Sequence, residues 1–240
     1  MRKKAAVPSL VTICNLFCGF LCIYYATRGQ LVPAAWLIVI AGFLDAFDGK
    51  LARLMDTPSQ FGVQFDSLAD VCSFGVAPAV LMLHYYQGVL DSILLPFIAS
   101  FLFFLCGALR LARFNVQTKT PEKEDFTGLP IPAAAATLAA YIIFTERVWE
   151  STREPHVAIT LCVFLGFLMV SPFEYPAFPK FSLGTRKDRA RLGIALSALI
   201  LVVLFPDEAF FPIALAFSLS GAVRWLFNLI VDREVADIRN

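Results

Sequence analysis

The run DAFDGKLARLMDTPSQFGVQFDSLAD, residues 45–70, sets four of its five aspartates, Asp45, Asp48, Asp66 and Asp70, beside long apolar stretches. Carboxylates are costly to hold beside such segments unless something compensates their charge. Two questions follow: what surrounds this run, and what do the acids hold? The surroundings are those of a membrane protein, with 58% hydrophobic residues, 24 phenylalanines and only 16% charged residues in 240, against about 25% charged in ordinary soluble domains. Mean hydropathy is +0.71. No polar stretch is long enough to fold separately, so residues 1–240 are expected to form a single, all-α, polytopic membrane domain.

A bilayer core of about 30 Å asks for about 20 apolar residues per helix. Runs near 10–27, 31–49, 66–86, 91–112, 129–146, 156–172, 192–206 and 209–229 predict about eight transmembrane helices. Pro206-Asp207-Glu208 reads either as a tight turn or as the end of a hairpin that does not fully cross. The basic start and apolar run at residues 1–26 resemble a signal peptide, but the run is long and no small-x-small cleavage site follows, so it reads as a retained first span.

Lys and Arg set the orientation. With the N-terminus on the cytoplasmic side, all 20 basic residues except Arg28, Arg147 and Arg153 fall on that side. An even span count returns the C-terminus to it. The aspartates then sit at the cytoplasmic ends of the second and third spans, joined by a short turn containing Pro58 and Gly62. A net charge of +1 without a concentrated basic face gives no footing for nucleic acid. The six cysteines lie in apolar segments without a C-x-x-C pair and read as packing residues rather than disulfides or zinc ligands.

On a helix, Asp45 and Asp48 are about 60° apart and Asp66 and Asp70 about 40° apart, so each helix of the hairpin offers a pair. Four carboxylates in one small volume repel one another unless they share protons or surround a cation. An all-oxygen set favours hard ions such as Mg²⁺, Mn²⁺ or Ca²⁺, and four carboxylates suffice for two of them, an arrangement suited to phosphoryl chemistry. Gly49 and Ala52 leave the helix face without bulk, and Arg53 offers a planar donor for phosphate. The plainer alternative is that the acids cap helices, Asp66 above all, or pair with Lys50, Arg53, Arg110 and Arg113.

The pattern D-x2-D-G-x2-A-R-x8-G-x3-D-x3-D, filled by Asp45, Asp48, Gly49, Ala52, Arg53, Gly62, Asp66 and Asp70, resembles the signature of the CDP-alcohol phosphatidyltransferases. The resemblance implies an integral membrane enzyme that moves a substituted phosphate from a CDP-linked lipid to an alcohol and releases CMP. By that analogy Asp45, Asp48 and Asp66 hold two Mg²⁺ or Mn²⁺ ions, and Asp70 touches one of them and serves as the catalytic base. Gly49, Ala52, Arg53, Gly62 and Asp66 line the CDP-lipid site. Homodimers are common in the family.

Three further stretches, LRLARFNV (109–116), FTGLPIPAAA (126–135) and LMVSPFEYPAFPKF (168–181), resemble the phosphatidylserine-forming branch of the family, which implies CDP-diacylglycerol and L-serine as substrates. Glu174 and Pro179 depart from that branch's pattern near Tyr175 and Lys180. Chemistry suits Arg110 and Arg113 to the serine carboxylate and Asn115 to its ammonium or hydroxyl, with basic anchoring as the alternative use of both arginines. The early run with Pro8, Thr12 and Asn15 resembles the family's N-terminal element. It places Thr12 and Asn15 on one face, for the polar cavity or for hydrogen bonds between helices. His84 and His156, at the opposite ends of their spans, read as bystanders. Two rivals stay open: the same chemistry with glycerol 3-phosphate or inositol phosphate as acceptor, and a cation transporter.

Overall fold

The computed structural model describes residues 2–54, 60–87, 90, 92–117, 126–149, 154–175 and 186–238; side chains are described from Leu10 onward, except at 51–54, 60, 117, 126, 186–188, 190–191 and 231–238. Helices α1 (Arg2–Thr27), α2 (Leu31–Leu54), α3 (Gln60–Asp70), α4 (Ala77–Tyr86), α5 (Leu94–Gln117), α6 (Ile131–Arg147), α7 (Pro155–Val170), α8 (Arg186–Leu204) and α9 (Pro206–Ile238) follow in chain order. A π-helical stretch, Val71–Val76, joins α3 to α4 without a break, so the described residues form eight rods, as expected.

Five rods contain segments long and apolar enough to cross a membrane: Leu10–Thr27, Leu31–Lys50, Phe61–Tyr86, Leu94–Val116 and Pro206–Ile230. The others are shorter, with 17 residues in α6, 16 in α7 and an apolar part of α8 confined to Leu192–Leu204. Eight rods therefore do not mean eight full-length spans. Large apolar side chains such as Phe17, Phe20, Phe43, Phe97, Phe167 and Phe227 point outward, as a lipid-facing surface requires.

Lipid tails are as apolar as leucine, so helices in a membrane are drawn together by close packing more than by burial from water. Small residues accordingly mark the contacts. The chain turns after α1 at Gly29, whose φ of 73° suits glycine, and α1 packs against α2, with Cys18, Cys22 and Ala26 of α1 and Ala34, Ala35, Ile38 and Ala41 of α2 all buried in the core. Helix α6 is alanine-rich and buried almost all round, from Ile131 through Thr145. It forms the centre of the bundle and touches α2, α4, α7 and α9.

Pro78 explains the π-helical stretch: it lacks a backbone donor and its ring crowds the carbonyl four residues back. Just upstream the rod widens, with the Ala77 amide donating to Cys72 O. Phe74 and Gly75 of this stretch are buried in the core.

The all-α class holds, with one two-residue β ribbon beside the helices. Strand β1 (Phe126–Thr127) pairs antiparallel with β2 (Glu174–Tyr175), Phe126 opposite Tyr175 and Thr127 opposite Glu174. Gly128 follows with φ 85°. A Cβ there would lie 2.2 Å from Met169 O, so no larger residue fits. Pro206 opens α9 one residue after α8 ends, with Asp207 and Glu208 in its first turn, where proline and acidic residues are favoured. The segment is thus a helix start and a tight turn.

Candidate metal and substrate site

The two helices of the quoted run bring three of the four aspartates together. Asp45 of α2 and Asp66 and Asp70 of α3 each offer a carboxylate oxygen, all within 4.8 Å of one another. Asp70 is buried and the other two half-buried. Asp66 stands in the middle of α3, which removes the helix-cap reading.

Asp48 is turned aside. The 60° that separates it from Asp45 points it at α1, where the Thr12 hydroxyl donates to its Oδ2. Its other oxygen is buried and has no hydrogen-bond partner among the described residues. Asp48 nevertheless stays within electrostatic reach of Asp45 and Asp66. Expected convergence of all four therefore becomes three acids with oxygens within 4.8 Å of one another and a fourth turned to α1.

Helix α1 supplies the inner wall. Asn15, fully buried, donates from Nδ2 to Asp70 Oδ1 at 3.5 Å. The Ser73 hydroxyl donates to the Asn15 carbonyl at 3.0 Å and ties α1 to the π-helical stretch. This approach needs Gly19, since a Cβ there would sit 2.6 Å from Ser73 Oγ and 2.8 Å from Ser73 Cα. Thr12 and Asn15 thus do both things their position allowed: they face the acids and bond between helices.

Helix α5 also borders the acids, and its two arginines part company. Arg110 is buried at 7% exposure, within electrostatic reach of Asp70 and Asp45, and its Nε has no partner among the described residues. Arg113, one turn on, donates to Thr127 O at 2.8 Å, Val170 O at 3.3 Å and Met169 O at 3.4 Å. It thereby joins α5 to β1 and to the end of α7. Asn115 donates from Nδ2 to Ser67 Oγ at 3.0 Å, linking α5 to α3 between Asp66 and Asp70.

Gly49 lies exposed just past Asp48, and Gly62 half-buried one turn before Asp66. Ala52 and Arg53 continue α2, with side chains outside the described residues, where Pro58, Pro179 and Lys180 also lie. Tyr175 belongs to the scaffold: its ring is buried, its hydroxyl donates to Ser218 O at 2.8 Å, and burial pushes the phenol up to about 12. His84 bonds Gln87 at 3.0 Å at the far end of α4, and His156 opens α7. Neither approaches the acids.

The donor set fits a divalent cation. Oxygens from three carboxylates meet, a fourth carboxylate beside them keeps a buried oxygen unpartnered, and a hard cation satisfies such a group where a neutral side chain does not. A bound ion would offset the charge of these acids and present a cation to phosphate oxygens, with Arg110 within electrostatic reach of Asp70 and Asp45.

Residues 5–171 match the family model for CDP-alcohol phosphatidyltransferase. The chain is 38% identical to a Helicobacter pylori protein named CDP-diacylglycerol–serine O-phosphatidyltransferase, over 93% of this chain and 92% of that one. A Bacillus subtilis protein of the same name is 37% identical over 72% of this chain and 92% of its own. A Methanothermobacter thermautotrophicus protein named archaetidylserine synthase is 37% identical over 71% of this chain and 70% of its own.

Proposed function

The chain belongs to the CDP-alcohol phosphatidyltransferase family, and from that premise we propose that it moves the phosphatidyl group of CDP-diacylglycerol onto the hydroxyl of L-serine, giving phosphatidylserine and CMP. The observation that carries the proposal is the meeting of Asp45, Asp66 and Asp70 at the junction of α2 and α3. Serine as acceptor rests on the names of relatives that match across most of the chain, and Arg110 is a matching feature of the site.

In this reading Asp45, Asp48 and Asp66 hold two divalent ions, Mg²⁺ or Mn²⁺, and Asp70 contacts one of them. Such ions, held by these carboxylates, would supply positive charge to offset that of the diphosphate and of the departing CMP. The residues do the rest. Gly49, Ala52, Arg53 and Gly62 line the CDP end, where the absence of side-chain bulk lets the nucleotide approach the helix backbone.

Asp70 takes the proton of the serine hydroxyl as that oxygen bonds to the lipid-side phosphorus and the bond to the CMP oxygen breaks. Thr12 and Asn15 keep Asp48 and Asp70 in place during this transfer. Arg110, whose Nε has no hydrogen-bond partner among the described residues, pairs with the serine carboxylate. Arg113 and Asn115 act by holding α5 against its neighbours.

The distribution of Lys and Arg supports placing the aspartate end, and both termini, on the cytoplasmic side of the cell membrane. The test is CMP release by the purified protein with CDP-diacylglycerol and Mn²⁺, offered serine or glycerol 3-phosphate. Release is expected with serine alone, is expected to stop on chelation, and is expected to return with Mn²⁺ or Mg²⁺. Release with glycerol 3-phosphate and none with serine would refute the proposal.

A further inference from the structure

We infer that Asn15 is a specificity residue that accepts a hydrogen bond from the acceptor's ammonium group; the inference rests on the serine reading above. Asn15 is fully buried on α1. Its backbone is pinned, since Ser73 Oγ donates to its carbonyl at 3.0 Å and Gly19, one turn on, packs directly on Ser73. Its side chain is oriented as well. Nδ2 faces Asp70 Oδ1 at 3.5 Å, and the reverse orientation would set an amide oxygen against a carboxylate. The amide oxygen consequently turns away from Asp70, where it is buried and has no partner among the described residues.

A buried acceptor without a donor is costly, so a fixed one beside a reactive group marks a place where a ligand donor belongs. A second group with an unpaired atom lies near the same aspartate. Arg110 on α5 is a buried donor with an unpartnered Nε, within electrostatic reach of the same Asp70. One unpaired acceptor from α1 and one unpaired donor from α5 therefore lie near the aspartate assigned to the reacting hydroxyl. A small amino acid bearing a hydroxyl complements this set: carboxylate to Arg110, ammonium to the Asn15 oxygen, hydroxyl to Asp70. An alcohol without an ammonium leaves the Asn15 oxygen unpaired, and a site built around a polar group rejects analogues that lack it.

The test compares L-serine with 3-hydroxypropanoate, which keeps the hydroxyl and carboxylate but has no ammonium. CMP release is measured on the full-length protein with CDP-diacylglycerol and Mn²⁺. Asn15→Leu loses the donor to Asp70 for both acceptors, so kcat falls for both. The ammonium contact appears as an additional loss on serine, roughly 10- to 100-fold in kcat/KM relative to 3-hydroxypropanoate, as expected for a hydrogen bond to a charged group.

Protection of the wild-type protein by serine against thermal unfolding, absent in Asn15→Leu, reads the same contact without turnover. Asn15→Asp keeps an acceptor oxygen of nearly the same shape; it should turn over slowly yet retain the wild-type preference for serine, which guards against a leucine variant that fails to fold. Equal losses on both acceptors in Asn15→Leu, or loss of the preference in Asn15→Asp, overturn the inference while leaving serine as the substrate. Wild-type protein that releases CMP with glycerol 3-phosphate and not with serine overturns the serine reading and this inference with it.

Discussion

Arg110 and Arg113 lie one turn apart on α5, yet the regions they serve are built in opposite ways. Around Arg113 the guanidinium donates to three backbone carbonyls, those of Thr127, Met169 and Val170, and Gly128 clears the space that lets those chains meet. Around Arg110 the polar groups are close but incompletely paired: its own Nε, the Asn15 amide oxygen and one oxygen of Asp48 are all buried without partners among the described residues. Satisfied polar groups hold a fold together, whereas preorganised and unsatisfied ones await a ligand. The same residue type thus serves as scaffold at one position and, in our reading, as binding group at the other.

Four substitutions probe that contrast. The largest effect is expected at the acid pocket, where Asp70→Asn should lower kcat by about 10³-fold, within the range for loss of a general base, while CDP-lipid binding and thermal stability persist. Retained turnover would remove the proposed base. Next comes Arg113→Met, expected to lower stability by about 3 kcal/mol, as several charge-assisted bonds to carbonyls are lost. Thermal unfolding in detergent reads this, and the serine KM of the folded fraction should change little. A raised serine KM at unchanged stability would break the contrast and return Arg113 to the acceptor site.

Arg110→Met should do the reverse, lowering kcat/KM for serine roughly 10- to 100-fold with a melting temperature near that of the wild type. The smallest effect belongs to Tyr175→Phe, which removes the 2.8 Å bond to Ser218 O. It is expected to cost about 1 kcal/mol of stability and to leave both substrates' KM unchanged. An altered KM there would extend the functional region to the β2 segment.

Much of this architecture was legible in the chain. Apolar runs located eight rods because a membrane demands length and apolarity, both of which composition records directly. The spacing of the aspartates was equally plain, since helical periodicity turns spacing into direction. What stayed hidden depends on neighbours. The third rod begins at Gln60 rather than 66, because polar residues near Gly62 read as a turn, whereas Phe61 and Phe65 stack with centroids 5.8 Å apart on the first turns of α3.

Asp48 could not be assigned to α1, since a 60° offset on α2 says only that two neighbours are involved. The Arg113 bonds had no sequence signal at all, because backbone carbonyls leave no mark on residue identity. Gly19 and Ser73 are small residues like many others, and only their juxtaposition shows that they lock Asn15 in place.

The most direct test of the central claim is anomalous diffraction from crystals of the protein grown with Mn²⁺. The account predicts Mn²⁺ scattering among Asp45, Asp66 and Asp70, lost in Asp45→Ala. Ordered Mn²⁺ bound elsewhere, or scattering at the acids that survives Asp45→Ala, would contradict it.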